Sequence, residues 1–146
     1  MLLPDHINIR LQPITVDELM AGIAADRIQK DRELDDVLAS ASERSRYVES
    51  VLVGIPSPAF YIDGTKQPWI VLDGVKRLEC LEDFVADRLP LKGMEYMVEY
   101  EGLVFSRLPA YMQNRFRNTR MMCYVMNPGT PSDVTANIKK RILTRL

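Results

Sequence analysis

Trp69-Ile70-Val71-Leu72-Asp73-Gly74-Val75-Lys76-Arg77-Leu78 constrains this chain more than any other stretch. An apolar run ends in Asp-Gly and passes at once into a helical pattern that opens with Lys76 and Arg77. The reading is a strand, a tight glycine turn and a helix start carrying two cations. A helix start presents free backbone N–H groups and the positive end of the macrodipole. Gly74 has no Cβ, so a ligand can approach the backbone closely. Anions, phosphates above all, suit such a place.

The flanking pattern mixes helices with hairpins. Residues 7–11 alternate apolar and polar, as in a half-buried strand. Thr15-Val16-Asp17-Glu18 has capping-box spacing and opens a short helix to about residue 25. Residues 26–41 are highly charged and aperiodic, and read as loop with one short strand or helix. Ser42 can cap a helix that lines up Tyr47, Val48, Val51, Leu52 and Ile55 and stops at Gly54. Pro56 and Pro58 force an extended link. Residues 59–62 and 69–72 read as paired strands, and residues 75 to about 87 as a helix burying Leu78, Leu81, Phe84 and Val85. That helix's other face carries Glu79, Glu82 and Asp83. Residues 97–100 and 103–105 flank Glu101-Gly102 as a second hairpin. Pro109 starts a helix to about residue 118, residues 120–126 form a strand, and Thr130-Pro131 starts the last helix. This order predicts one α+β domain over residues 1–146, with a small mixed sheet and about five helices.

Composition narrows the function classes. The chain has 146 residues, 47% of them hydrophobic and 27% charged, which suits one domain with an adequate core. Its net charge of −1 supplies no global attraction to nucleic acid. Local basic clusters do occur, at Arg115, Arg117 and Arg120 and at Lys139, Lys140, Arg141 and Arg145. No stretch approaches the ~20 apolar residues of a membrane span, and the start lacks the pattern of a secretory signal. Cys80 and Cys123 have no metal spacing and read as buried thiols. The expected location is the cytoplasm, with no membrane partner. His6 is the sole histidine, so a Ser-His or Cys-His nucleophile system has little support.

Each candidate residue carries two readings. Arg77 falls in the first turn after Gly74, where its guanidinium can make paired bonds to a phosphate, or can pair with Asp73 or a nearby Glu. Asp73 can hold Mg²⁺ beside a nucleotide or cap the helix. Lys76 can serve phosphate as a point charge or lie exposed. Arg46 and Glu49 are three positions apart on one helix face. Glu49 can orient Arg77 or bind a metal, or the two can form a surface ion pair. Trp69 and Tyr61 can stack on a base or join the core.

Two motifs together resemble a bacterial family. Ser45-Arg46-Tyr47-Val48-Glu49-Ser50-Val51-Leu52-Val53-Gly54-Ile55-Pro56-Ser57-Pro58-Ala59-Phe60-Tyr61 is similar to its "SRxIES-L-x-GIPxPxxY" segment, and Asp73-Gly74-Val75-Lys76-Arg77-Leu78 to its "DGQQRL". The family is the N-terminal domain of GmrSD-type restriction proteins, of ParB/sulfiredoxin-like fold. Phe105-Ser106-Arg107-Leu108-Pro109 and Asn127-Pro128-Gly129-Thr130-Pro131 also resemble its later segments, so the likeness runs from about residue 14 onward. Both Gln positions of the second motif differ here. The family's early Gln-Arg pair meets Gln29-Lys30-Asp31-Arg32-Glu33, which aligns poorly. Its "RINTGG" meets Arg141-Ile142-Leu143-Thr144-Arg145-Leu146, without the Asn and both glycines.

The resemblance implies a ParB-like domain of a restriction or phage-defence protein that binds a nucleoside triphosphate, with Mg²⁺, at Asp73, Gly74, Lys76 and Arg77, helped by Glu49 and Arg46. It implies possible triphosphate hydrolysis but no nuclease domain in this chain. The rival readings are a protein-interaction module that has lost its ligand, partnered for instance by a nuclease subunit, and a DNA-binding domain using the arginines from Arg115 to Arg120.

Overall fold

Thr15 ends a strand and starts a helix within one residue. Its hydroxyl accepts the Glu18 N–H at 3.1 Å, so β1 (Ile9–Thr15) passes without a loop into α1 (Val16–Ala24). The computed structural model describes residues 8–31 and 40–144, the last three by their backbone alone. Within them follow β2 (Ile28–Lys30), α2 (Ala41–Val53), β3 (Phe60–Asp63), β4 (Trp69–Asp73), α3 (Val75–Val85), α4 (Ala110–Arg117), β5 (Arg120–Met126) and α5 (Ser132–Thr144).

The strands form one sheet in the order β1-β5-β3-β4-β2. β1 pairs antiparallel with β5 and β3 with β4, while β3 with β5 and β2 with β4 run parallel. Five helices and five strands among the described residues make this an α+β domain with a mixed sheet. The expected pairing of β3 with β4 is present, and α3 begins one residue after Gly74.

One face of the sheet is buried under the helices. Phe60, Ile62, Val71, Cys123 and Val125 on the strands meet Val48, Leu52, Leu78, Leu81 and Phe84 on α2 and α3, all in one apolar cluster. Phe84 packs edge-on against Phe105 and Phe116, with centroids 5.3 and 5.1 Å away. Val85 is only half-buried, at the rim of this cluster. The other face is covered in part by α5, where Ile138 packs on Leu72 and Met126. Farther along it, Ile9, Leu11, Met122 and Tyr124 are exposed.

Several expectations need correction. The cap of α2 is Ser40, whose hydroxyl accepts the Glu43 N–H at 3.1 Å; Ser42 sits inside the first turn. Gly54 does stop α2, at φ 85°, and by turning the chain it leaves Ile55 exposed rather than on the apolar face. No hairpin spans residues 97–105. Single 3₁₀ turns stand at Val98–Tyr100 and Phe105–Arg107 instead. The backbone there bonds across to Leu91: the Gly102 N–H donates to the Leu91 carbonyl at 2.7 Å, and the Leu91 N–H to the Leu103 carbonyl at 3.0 Å. The Glu101 carboxylate accepts the Met94 and Gly93 N–H groups, which hold its pKa below the usual glutamate range. The short strand or helix expected within residues 26–41 is a strand, β2; residues 32–39, His6 and Arg145 lie outside the described residues.

Candidate functional site

The 73–77 turn is where sequence and structure agree best. β4 ends at Asp73, Gly74 adopts the left-handed conformation at φ 105°, and no side chain caps the start of α3. A Cβ at Gly74 would overlap the Phe60 ring and come within 3.1 Å of the Arg77 guanidinium. The glycine is therefore required by the fold itself, because β3 and Arg77 close over it.

Arg77 takes the internal alternative. Its side chain is 8% exposed and lies 3.6 Å from the Asp73 carboxylate. It also donates to the Pro58 carbonyl, and its guanidinium sits 5.0 Å over the Phe60 ring. These partners tie the extended Pro56–Pro58 link to α3. A guanidinium suits the task, since its planar fork bonds a carbonyl and a carboxylate while one face stacks on a ring.

Glu49 and Arg46 part company. Arg46 is exposed, whereas Glu49 is 3% exposed, so the surface ion pair does not form. The Glu49 carboxylate instead accepts three backbone N–H groups, from Glu95 at 3.1 Å, Tyr96 at 2.9 Å and Met97 at 2.9 Å. This pins the 94–97 loop to α2. Both oxygens are thereby engaged, so Glu49 is a loop anchor and not a partner for Arg77 or a metal ligand.

The structure adds residues that sequence reading left aside. Lys30, the last residue of β2, pairs with Glu79 at 3.6 Å and with Glu82. Lys76 reaches the same Glu79 at 4.0 Å. Next to Lys30, Asp31 donates its N–H to the Val71 carbonyl at 3.0 Å and accepts Lys139 of α5 at 2.6 Å. The face of α3 that carries Glu79 and Glu82 is thus half-buried and woven to β2. Nothing local in the sequence marks Lys30 as a partner of α3, because the pairing of β2 with β4 that places it there is long-range. Asp73, Gly74, Lys76, Lys30 and Lys139 therefore gather at the carboxyl ends of the parallel pair β2 and β4. That is the end at which open sheets with parallel strands hold ligands.

Among the described residues no group of three or more His, Cys, Asp or Glu is arranged to hold a metal ion. Cys80 and Cys123 are buried thiols, and burial pushes the Cys123 pKa up to about 12. Of the basic residues near β5, Arg115 and Arg120 are exposed, but Arg117 stacks 4.9 Å over Phe105 and lies 3.9 Å from Asp17. Tyr61 stacks on Tyr124 at 5.1 Å, and Trp69 carries the Arg10 guanidinium 5.5 Å over its ring. No helix among the described residues is long and apolar enough to cross a membrane. No protein-family model matches the chain, and no curated protein or solved structure matches it either.

Proposed function

We propose that the carboxyl end of β2 and β4 binds the phosphate of a nucleotide, in a ParB/sulfiredoxin-like domain serving bacterial restriction or phage defence in the cytoplasm. The fold lineage and the biological setting rest on the sequence resemblance alone. One observation carries the binding reading: α3 starts on a left-handed glycine with no side-chain cap, Lys30 of β2 and Lys76 of α3 both pair with Glu79 beside it, and Lys139 of α5 pairs with Asp31 next to Lys30. Backbone N–H groups and lysine point charges together are the chemistry of a phosphate cradle.

Roles shift from those expected of the sequence. Arg77 shapes the turn from inside. Lys76 is the ligand-facing cation: its side chain is 39% exposed and lies 4.0 Å from Glu79. Asp73 is the single carboxylate at the turn, so a Mg²⁺ would be held chiefly by the nucleotide's own phosphates. Hydrolysis asks more of the site than binding does, because Asp73 is already paired with Arg77. A thermal-shift series with nucleoside triphosphates, with and without Mg²⁺, tests the reading. Ligand at 100 times its Kd adds about 2.7 kcal/mol, a rise of several degrees. Unchanged melting with every triphosphate rejects it.

A second reading rests on the open sheet face, where Leu11 is 52% exposed and its register partner Tyr124 36%. Under it the domain docks against a protein such as a nuclease subunit. Leu11→Glu should then abolish co-sedimentation with that subunit and leave the triphosphate response intact. Direct DNA binding is less favoured, since Arg117 is engaged with Phe105 and Asp17. A gel shift that weakens steeply with salt would revive it.

A further inference from the structure

A cavity of about 350 Å³ opens at the amino ends of β2 and β4, the opposite end from the proposed phosphate site. From Trp69 to Asp73, β4 spans about 13 Å, so the two places are separate. Ile14 of β1, Ile28 of β2, Gly22 of α1 and Trp69 of β4 give the cavity apolar walls, and Gln12 and Gln67 put amides into them. Gly22 lets α1 ride close on β2, since a Cβ there would come within 2.6 Å of Ile28 Cδ1.

The alternation of β1 marks this place as unusual. Arg10, Gln12 and Ile14 stand opposite the buried Val125, Cys123 and Met121, so they share the core side of the sheet. Ile9 and Leu11 point to the other side and are exposed. The strand thus turns two polar residues inward and two apolar ones outward, the reverse of what burial favours. Such local conflicts with the folding pattern are expected at functional sites. Arg10 and Gln12 do not bury idly: the Arg10 Nε donates to Gln12 Oε1 at 2.8 Å while its guanidinium covers Trp69.

We infer that this cavity binds a planar, uncharged heterocycle of nucleobase size. The volume falls at the small end of ligand cavities, enough for one ring system and a substituent. The indole offers a stacking surface that any base can use. The Gln67 amide supplies both donors and an acceptor, and Gln12, whose Oε1 accepts Arg10, supplies its NH2 donors, as the edge of a base requires. Glu18 and Arg27 on the rim offset each other in charge, and the nearby Arg10 is engaged by Gln12 and the indole, so selection falls to the ring and the amides. The inference stands apart from the phosphate reading and uses none of its residues.

Trp69 is the chain's single tryptophan, so its emission reports on this cavity alone. Adenosine, guanosine, cytidine and uridine would each be titrated against the intact chain with selective indole excitation. At least one should give a saturable change with half-saturation below about 1 mM, the range of a small ligand with few anchors. Gln12→Ala and Gln67→Ala should each raise that midpoint about tenfold, the worth of one lost hydrogen bond, and Gln67→Ala should leave the melting temperature unchanged. The matching triphosphate should quench Trp69 no more tightly than the nucleoside does. The inference is overturned if no nucleoside gives a saturable change, or if the change persists in both variants.

Discussion

Two buried carboxylates, Glu49 and Asp73, stand where the sequence pointed to chemistry, and the protein satisfies them differently. Glu49 is closed off by three loop amides, a backbone solution that leaves no room for a ligand. Asp73 is paired with a side chain, Arg77, and beside it a string of lysines and carboxylates runs to the surface. A nest of amides around an acid fastens one segment to another and ends there. An acid paired with a long cation, at a helix start with no side-chain cap, fixes a shape and leaves the first helical N–H groups beside it. The first is an anchor, and the second frames a place where an anion can compete.

The largest expected effect removes what both regions share. α3 carries Arg77, the 94–108 segment supplies the amides for Glu49, and they meet where Phe84 packs on Phe105. Phe84→Ala should cost about 3–5 kcal/mol in urea unfolding. A loss below about 1 kcal/mol would mean that the phenylalanine cluster does not join them. Arg77→Ala should cost about 3 kcal/mol, because it strands the buried Asp73 and the Pro58 carbonyl. Reading from sequence alone gives a small effect here, on the view that Arg77 faces a phosphate; its internal partners reverse that expectation. Glu49→Gln should cost about 2 kcal/mol, since an amide nitrogen would face N–H donors. Hydrogen exchange should speed up at residues 95–97 and not at the 73–77 turn. Exchange rising equally at both would show that the two regions are one cooperative unit. Lys76→Ala should change stability by less than about 1 kcal/mol, as for a partly exposed ion pair.

Much of the fold was legible because local chemistry specifies it. The Thr15 cap, the Gly54 stop and the β4–Gly74–α3 turn follow from residues within a few positions of each other. The 97–105 segment was not legible, since its backbone pairs with Leu91 and its Glu101 carboxylate with the Gly93 and Met94 amides, and apolar residues around a Glu-Gly turn read equally well as a hairpin. The candidate site was half legible. Asp73 and Gly74 announce a turn, but nothing local tells whether Arg77 looks outward or inward; that depends on Pro58 and Phe60, nineteen and seventeen positions upstream. Lys30 and Lys139 join the site only through the pairing of β2 with β4 and the docking of α5, both long-range events. The same limit hid the inward-facing Gln12 until β1 was seen in register with β5.

Calorimetric titration of nucleoside triphosphates into the wild type and into Lys76→Ala tests the central claim most directly. The account predicts saturable binding to the wild type and about tenfold weaker binding to the variant, whose melting temperature without ligand matches the wild type. Absence of binding heat with the wild type, or equal affinity in the two proteins, would contradict it and leave the 73–77 turn as a structural joint.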